Sequence, residues 1–429
     1  MQRKLVEKLL LVVVMVVLCM AVDMTASALE PTGQCGDDVY WTFDETTGEL
    51  VISGEGDMWD YRDPETASTK ISPFENSQEI KSIIIEDGIS SIGAKSFWGC
   101  QTLENVVIAE SVTNIFDYAF AYCSNLVEFD FSNALKTLGE GSFHNCTNLN
   151  NVVLPESLTS IEPLVFQFCT SLESIIIPAN VTNIYYCAFN GCVGLKTVIL
   201  SKELTDIGES AFLSCASLEE IIVPGKVQNI SDYAFSGCTS LEKVILPKSL
   251  NGLNVGTFNW CFSLNEVILP ESIGEIKEYN FYNCISLKKA ICENKELIFD
   301  GEEIYSIDLV LDENITISEF TEKSKAYICS MAKLDEVSNA YQNNSELVQK
   351  YEEEFNKAAI EMENCLTMLD EPRPIDDLIL YGHTHSTTES YAIANNIPFT
   401  ALEGSEHPDK YFATDWTVCP LWPLGNSPK

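Results

Sequence analysis

From residue 74 to residue 292 the apolar positions recur at one fixed spacing. Around Cys169, Phe166 precedes the cysteine, and Leu172, Ile175, Ile177, Val181 and Ile184 follow, with Pro178 between them. The next stretch repeats this with Phe189, Cys192, Leu195, Val198, Leu200, Leu204 and Ile207. The step is 23 residues, and nine cysteines keep it: Cys100, Cys123, Cys146, Cys169, Cys192, Cys215, Cys238, Cys261 and Cys284. Leu-x-x-Val-x-Leu alternates inward and outward side chains, which predicts a short strand. The proline that often follows, as at Pro155, Pro178, Pro224, Pro247 and Pro270, ends it, because proline cannot donate a ladder hydrogen bond. The Ala-Phe stretch, as in Ala211-Phe212, predicts a short helical or 3₁₀ turn that returns the chain. Phe74, Ser77, Ile80, Ile83, Ile85, Ile89 and Ile92 hold the same register one period earlier, making ten coils in all.

A single such coil cannot fold alone. About seven buried apolar side chains contribute on the order of 10–20 kcal/mol. Ordering the backbone costs roughly 1–2 kcal/mol per residue, which is more over one period. Stacking is therefore compulsory, and at strand spacing the ten coils span about 48 Å. The predicted fold is an α/β repeat solenoid with short strands, an N-terminal β-hairpin cap and a C-terminal helical insert.

The pattern closely resembles the BspA-type leucine-rich repeats of secreted and surface proteins. Its local form is IGESAFLSCASLEEIIVP, residues 207–224. The block from Cys35 to Tyr61 looks like the cap that precedes such repeats, and residues 378–402 look like the family's closing unit. The resemblance implies adhesion or recognition at a surface or outside the cell, and carries over no catalytic residues. A long stretch between the last regular coil and the closing unit departs from the pattern.

Outside the coils, Tyr40–Phe43 and Glu49–Ser53 flank Asp44-Glu45-Thr46-Thr47-Gly48 and predict a hairpin. Its natural place is the open edge of the first coil, which would otherwise recruit other chains. Residues 293–377 lose the period and carry 22 acidic against 7 basic residues. Thr316-Ile317-Ser318-Glu319 predicts a capping box. Leu334, Val337, Tyr341, Val348, Tyr351, Phe355, Ala358, Met362, Cys365 and Leu369 then follow at steps of mostly three and four, with Asn344 interrupting. Two arrangements satisfy this stripe: a helical hairpin packed on the flank of the coils, or an exposed coiled-coil arm. The predicted organisation is a signal peptide over 1–28, a cap over 29–73, coils over 74–292, the acidic insert over 293–377, a closing unit over 378–402 and a tail over 403–429.

The signal peptide rests on a basic start (Arg3, Lys4, Lys8), an apolar run from Leu9 to Val22 and the small residues Ala26-Ser27-Ala28. It predicts export, with no later apolar run long enough to span a membrane. Export and sixteen cysteines invite disulfides, but the ladder cysteines are odd in number and evenly spaced. Buried free thiols filling a tight inner corner account for them instead. The formal charge of −39 repels phosphate backbones, so nucleic acid and anionic membranes are poor partners. No sequence motif nominates a catalytic, cofactor or metal site. His383-x-His385 has no evident third ligand, and Ser386-x-x-Glu389 beside it reads as a capping box.

The binding clue is the outward position of each strand: Val107, Asp130, Val153, Ile176, Ile199, Ile222, Ile245, Ile268 and Ile291. Strand propensity alone favours Val and Ile there. A continuous apolar row also suits contact with a ligand, a partner or the insert itself. The candidate face is Val153, Ile176, Ile199, Ile222, Ile245, Ile268 and Ile291, flanked by Glu220, Lys243, Glu266 and Lys289. Its expected partner is an extracellular protein or glycan. The second reading is a structural or self-assembling surface component. The sequence leaves the oligomeric state open.

Overall fold

The computed structural model describes residues 29–62, 69–299, 306–311, 315–340, 345–374, 378–382, 388, 391–392 and 397–401. The expected signal peptide, the His383-x-His385 pair with its capping box, and the tail lie outside the described residues.

Each coil contributes two short strands, where the sequence predicted one. Ten first strands run from Ser82–Ile85 to Lys289–Cys292, and ten second strands from Ile89–Ile92 to Ile298–Phe299. Both series pair in parallel with the register set by the period: Ile175 lies opposite Val198, Ile221 opposite Val244, and Ile184 opposite Ile207. The second strands escape a reading by alternation because most are only two residues long. In Asn183–Ile184 a single side chain is buried.

The return stretch is a run of hydrogen-bonded turns, and no helix forms there. Two residues of each turn, five and one before the ladder cysteine, have positive φ; Tyr233 (57°) and Gly237 (72°) are one such pair, Leu164 (61°) and Phe168 (60°) another. A left-handed conformation costs a residue with a side chain roughly 1–2 kcal/mol. What offsets it is a backbone ladder. The alternation aims every second N–H at the next coil, so Tyr233 donates to the Val255 carbonyl at 2.8 Å, Phe235 to Thr257 at 3.0 Å and Gly237 to Asn259 at 2.8 Å.

Two side-chain columns tie the coils together. Phenylalanine rings stack from Phe74 to Phe281 with centroids 5.2–5.9 Å apart. Each ladder cysteine is a free, buried thiol. Its Sγ–H donates to the phenylalanine carbonyl of the coil before, at 3.1–3.3 Å from Cys100 through Cys284. The thiol thus gives a buried carbonyl a second donor, beside the N–H that carbonyl already accepts within its own coil.

At the N-terminal end lie β1 (Thr32–Gln34), β2 (Gly36–Asp44) and β3 (Glu49–Met58). β3 pairs antiparallel with β2 on one side. On its other side it pairs in parallel with both strands of the first coil, β4 (Ser82–Ile85) and β5 (Ile89–Ile92), placing Leu50 opposite Ile83 and Gly56 opposite Ile89. Gly54 marks where β3 passes from one ladder to the other. It has φ +123°, and a Cβ there would fall 2.1 Å from the Asp38 carbonyl oxygen. Only glycine fits.

Past the last coil, Ile379–Gly382 pairs with Lys289–Cys292 and Phe399–Ala401 pairs with Ile379–Gly382, so the first ladder resumes after the acidic stretch. Within that stretch an antiparallel pair, Ser306–Leu311 with Leu366–Pro374, brackets two helices, α1 (Ile317–Ala340) and α2 (Ser345–Glu363). Thr316 caps α1: its Oγ1 accepts from the Glu319 N–H at 3.2 Å, and Glu319 reaches back to the Thr316 N–H at 2.8 Å.

α1 lies along the turns of the coils. Phe320 stacks on Phe262 at 4.8 Å, Thr321 bonds Thr239 at 3.0 Å, and Glu336 accepts from Ser124 at 3.0 Å. Between Thr321 and Glu336 the helix rises about 22 Å, and the five coil steps between Thr239 and Ser124 cover about 24 Å. The two periods therefore run side by side. The polar end of this contact is buried. His144 Nε2 lies 3.1 Å from Asp335 Oδ2, and Asn145 Nδ2 donates to the Ala332 carbonyl at 2.8 Å and to Asp335 at 3.2 Å. Removing the carboxylate leaves these groups short of a partner, so Asp335→Ala should weaken docking of α1 by about 1–3 kcal/mol. Hydrogen exchange should quicken toward the C-terminal end of α1 while the coil amides stay protected. Unchanged exchange would show that apolar contacts alone hold the helix.

Candidate functional site: the outer row of the first ladder

The register lines up the predicted face. Ile176 is opposite Ile199, Ile222 opposite Ile245, and Ile268 opposite Ile291. Their inward neighbours, Ile175, Val198, Ile221 and Val244, are buried in the common core.

Exposure along the row is graded. Val107 is 60% exposed, Val153 75%, Ile176 63% and Ile199 41%. Ile222, Ile245 and Ile268 are half-buried, and Ile291 is only 5% exposed. Ile291 therefore does not belong to an accessible face. Its strand carries Ile379–Gly382 on the other edge, where the ladder continues. Asp130 interrupts the row as an exposed carboxylate between Val107 and Val153.

The residues two positions earlier on each strand change along the same gradient. Beside Val153, Ile176 and Ile199 stand the short Asn151, Ser174 and Thr197. Beside the later isoleucines stand the longer, charged Glu220, Lys243, Glu266 and Lys289. These four alternate in charge and pair from coil to coil, Lys243 with Glu220 at 3.0 Å and Lys289 with Glu266 at 3.1 Å. Exposed pairs of this kind contribute at most about 1 kcal/mol. Their larger effect is to give the second half of the row a locally neutral border on a very acidic chain. The open apolar surface is thus concentrated in the coils of Val153, Ile176 and Ile199.

α1 meets the coils at turn residues: Ser124, His144, Asn145, Thr239 and Phe262. These lie on a different side of the coil from the row. Among the described contacts the helices leave the row uncovered. Sequence periodicity could not place α1 on this side, because the contact uses residues next to the ladder cysteines that vary freely from coil to coil.

Chemically the row offers apolar contact and no reactive group. The ladder thiols are buried, and desolvation pushes them up, to about 12 at Cys100, Cys238 and Cys284; a thiol so held is not a nucleophile at neutral pH. Among the described residues no group of three His, Cys, Asp or Glu is placed to hold a metal ion. No described helix is long and apolar enough to cross a membrane.

A sequence model of the BspA type leucine-rich repeat region matches residues 68–196 and 183–308, in six copies. No curated protein sequence matches the chain. Among solved structures, a leucine-rich repeat protein from Eubacterium ventriosum is 23% identical, with a TM-score of 0.44, over 62% of this chain and 73% of its own. One from Bacteroides ovatus is 21% identical, with a TM-score of 0.37, over 62% of this chain and 90% of its own. A leucine-rich cell surface protein from Faecalibacterium prausnitzii is 20% identical, with a TM-score of 0.33, over 64% and 96%. The repeat match covers more than half of the chain, which therefore belongs to the BspA-type leucine-rich repeat family.

Proposed function

We propose that this chain is an exported recognition or adhesion protein, acting without catalysis at the cell surface or outside the cell. In this reading the coils form a solenoid, β1–β3 cap its first edge, and the first-ladder row binds an extracellular protein or glycan. The observation that carries it is the open apolar run of Val153, Ile176 and Ile199, exposed on three successive coils and bordered by small polar side chains. A monomer has no packing reason to keep three stacked β-branched residues in water, and such patches tend to be contact sites.

The test is a binding screen of the purified chain against extracellular proteins and glycans, beside the triple variant Val153→Thr, Ile176→Thr, Ile199→Thr. Threonine keeps the strand-favouring shape and removes apolar surface, so the melting temperature should hold while binding falls at least about tenfold, the effect of losing roughly 1.4 kcal/mol. Binding retained in the variant would remove the row from the recognition surface. Concentration-dependent assembly abolished by the variant, with no heterologous ligand, would instead establish a self-assembling surface component.

A further inference from the structure

The second ladder carries its own outward row, which is polar up to Glu275 and ends on the exposed Ile298. From coil to coil it runs Asn183, Asp206, Asn229, then Gly252, then Glu275. Gly252 is the one member of this run without a side chain. Around it opens a cleft of about 400 Å³ whose lining includes Asp206, Gln228, Asn229, Asn251, Glu275 and Lys277. The charges and amides in it are unevenly engaged. Lys277 Nζ donates to Asn254 Oδ1 at 2.8 Å, Asn254 donates on to Asn229 at 3.0 Å, and Asp206 accepts from Thr205 at 2.6 Å. Gln228, Asn251 and Glu275 are exposed, and their side chains make no hydrogen bond among the described residues.

We propose that this cleft binds a short neutral glycan segment. The free lining groups are two amides, each both donor and acceptor, and one carboxylate acceptor, set along a groove of about 14 Å over three coil steps at strand spacing. A chain of hydroxyls, each able to donate and accept, matches that mixture. A peptide matches it less well, since Leu253 on the lining is itself buried, leaving no apolar pocket for side chains. Anionic glycans are disfavoured by the −39 net charge and by Asp206 and Glu275 at the two ends. The site is on a different ladder from the first-ladder row and stands independently of it.

Gly252→Asn is the informative change, because asparagine occupies this position in the coils of Asn183 and Asn229. It refills the gap with a side chain the ladder already accepts. An added Cβ would lie 3.1 Å from the Glu275 carbonyl oxygen, so Asn251→Ala serves as a second variant that leaves the backbone alone. The full chain is tested by saturation-transfer NMR with maltotriose, cellotriose and N-acetylchitotriose, and with a heparin tetrasaccharide and hexaglycine as comparators. At least one neutral trisaccharide should bind, with affinity reduced about tenfold or more in either variant, as expected for a lost polar contact or a filled site. The first-ladder triple variant should bind it unchanged. No signal from all three trisaccharides, tighter binding of the heparin fragment or of hexaglycine, or affinity indifferent to both cleft variants would each overturn the proposal.

Discussion

Raising the pH from about 9 to about 10 under reducing conditions should unfold the coils cooperatively. Burial raises the pKa of all nine ladder thiols above the ordinary value of 9.0, to about 12 at Cys100, Cys238 and Cys284. Above pH 9 the unfolded chain loses protons that the folded chain keeps, so the unfolded state binds fewer and stability falls as pH rises. The contribution is fully present below the unfolded value and is lost above it. With nine such groups the slope approaches roughly 12 kcal/mol per pH unit, which matches or exceeds the whole stability of most domains. Desolvation also raises Tyr118 and Tyr122. Their effect has the same sign but starts only near their ordinary value of 10, so an onset between 9 and 10 belongs to the thiols. Circular-dichroism melts across this range check it, and Cys215→Ala should reduce the ladder's part of the slope by about one part in nine, beside the smaller share of Cys35, Cys187 and Cys329, which burial also raises. A melting temperature flat to pH 11 would mean that the thiols titrate freely.

Phe212→Ala should cost about 3–5 kcal/mol, the range for removing a fully buried ring. Phe212 is fully buried and lies 5.2 Å from Phe189 and 5.3 Å from Phe235, in the most nearly parallel part of the stack. Its neighbours are held by backbone ladders on three sides, so the cavity has little scope to collapse. In a stacked repeat the stability of each coil depends on its neighbours. Damage at the centre should therefore also split a single denaturation transition into two, or lower its denaturant dependence. Chemical denaturation followed by far-ultraviolet circular dichroism reads both effects. A loss below about 1 kcal/mol, in the range of ordinary surface substitutions, would show that the ring column is not what binds the coils.

Both predictions rest on columns that were visible in the sequence as a period but not as interactions. Cys100 through Cys284 were legible as small buried groups. That each thiol donates to a phenylalanine carbonyl of the preceding coil was not, since the partner lies 26 residues away and is a backbone atom. The left-handed residues were hidden for a similar reason. Glycine marks some of these positions, as at Gly141 and Gly256, but Leu164, Cys187 and Tyr233 hold the same conformation, because the inter-coil hydrogen bonds impose it on whatever residue stands there.

The period, the inward and outward sides of the first strand and the compulsory stacking were determined by sequence alone, because they follow from side-chain alternation and from the free energy of a single coil. The outward row from Val153 to Ile291 was determined in its alignment but not in its accessibility. Exposure depends on which neighbours fold against it: Ile291 is buried where the ladder continues into Ile379–Gly382, while Val153 and Ile176 stay open. The side taken by α1 and the cleft at Gly252 were decided only by tertiary structure. Both arise where residues far apart in sequence meet across coils, and no local propensity or spacing encodes such a meeting.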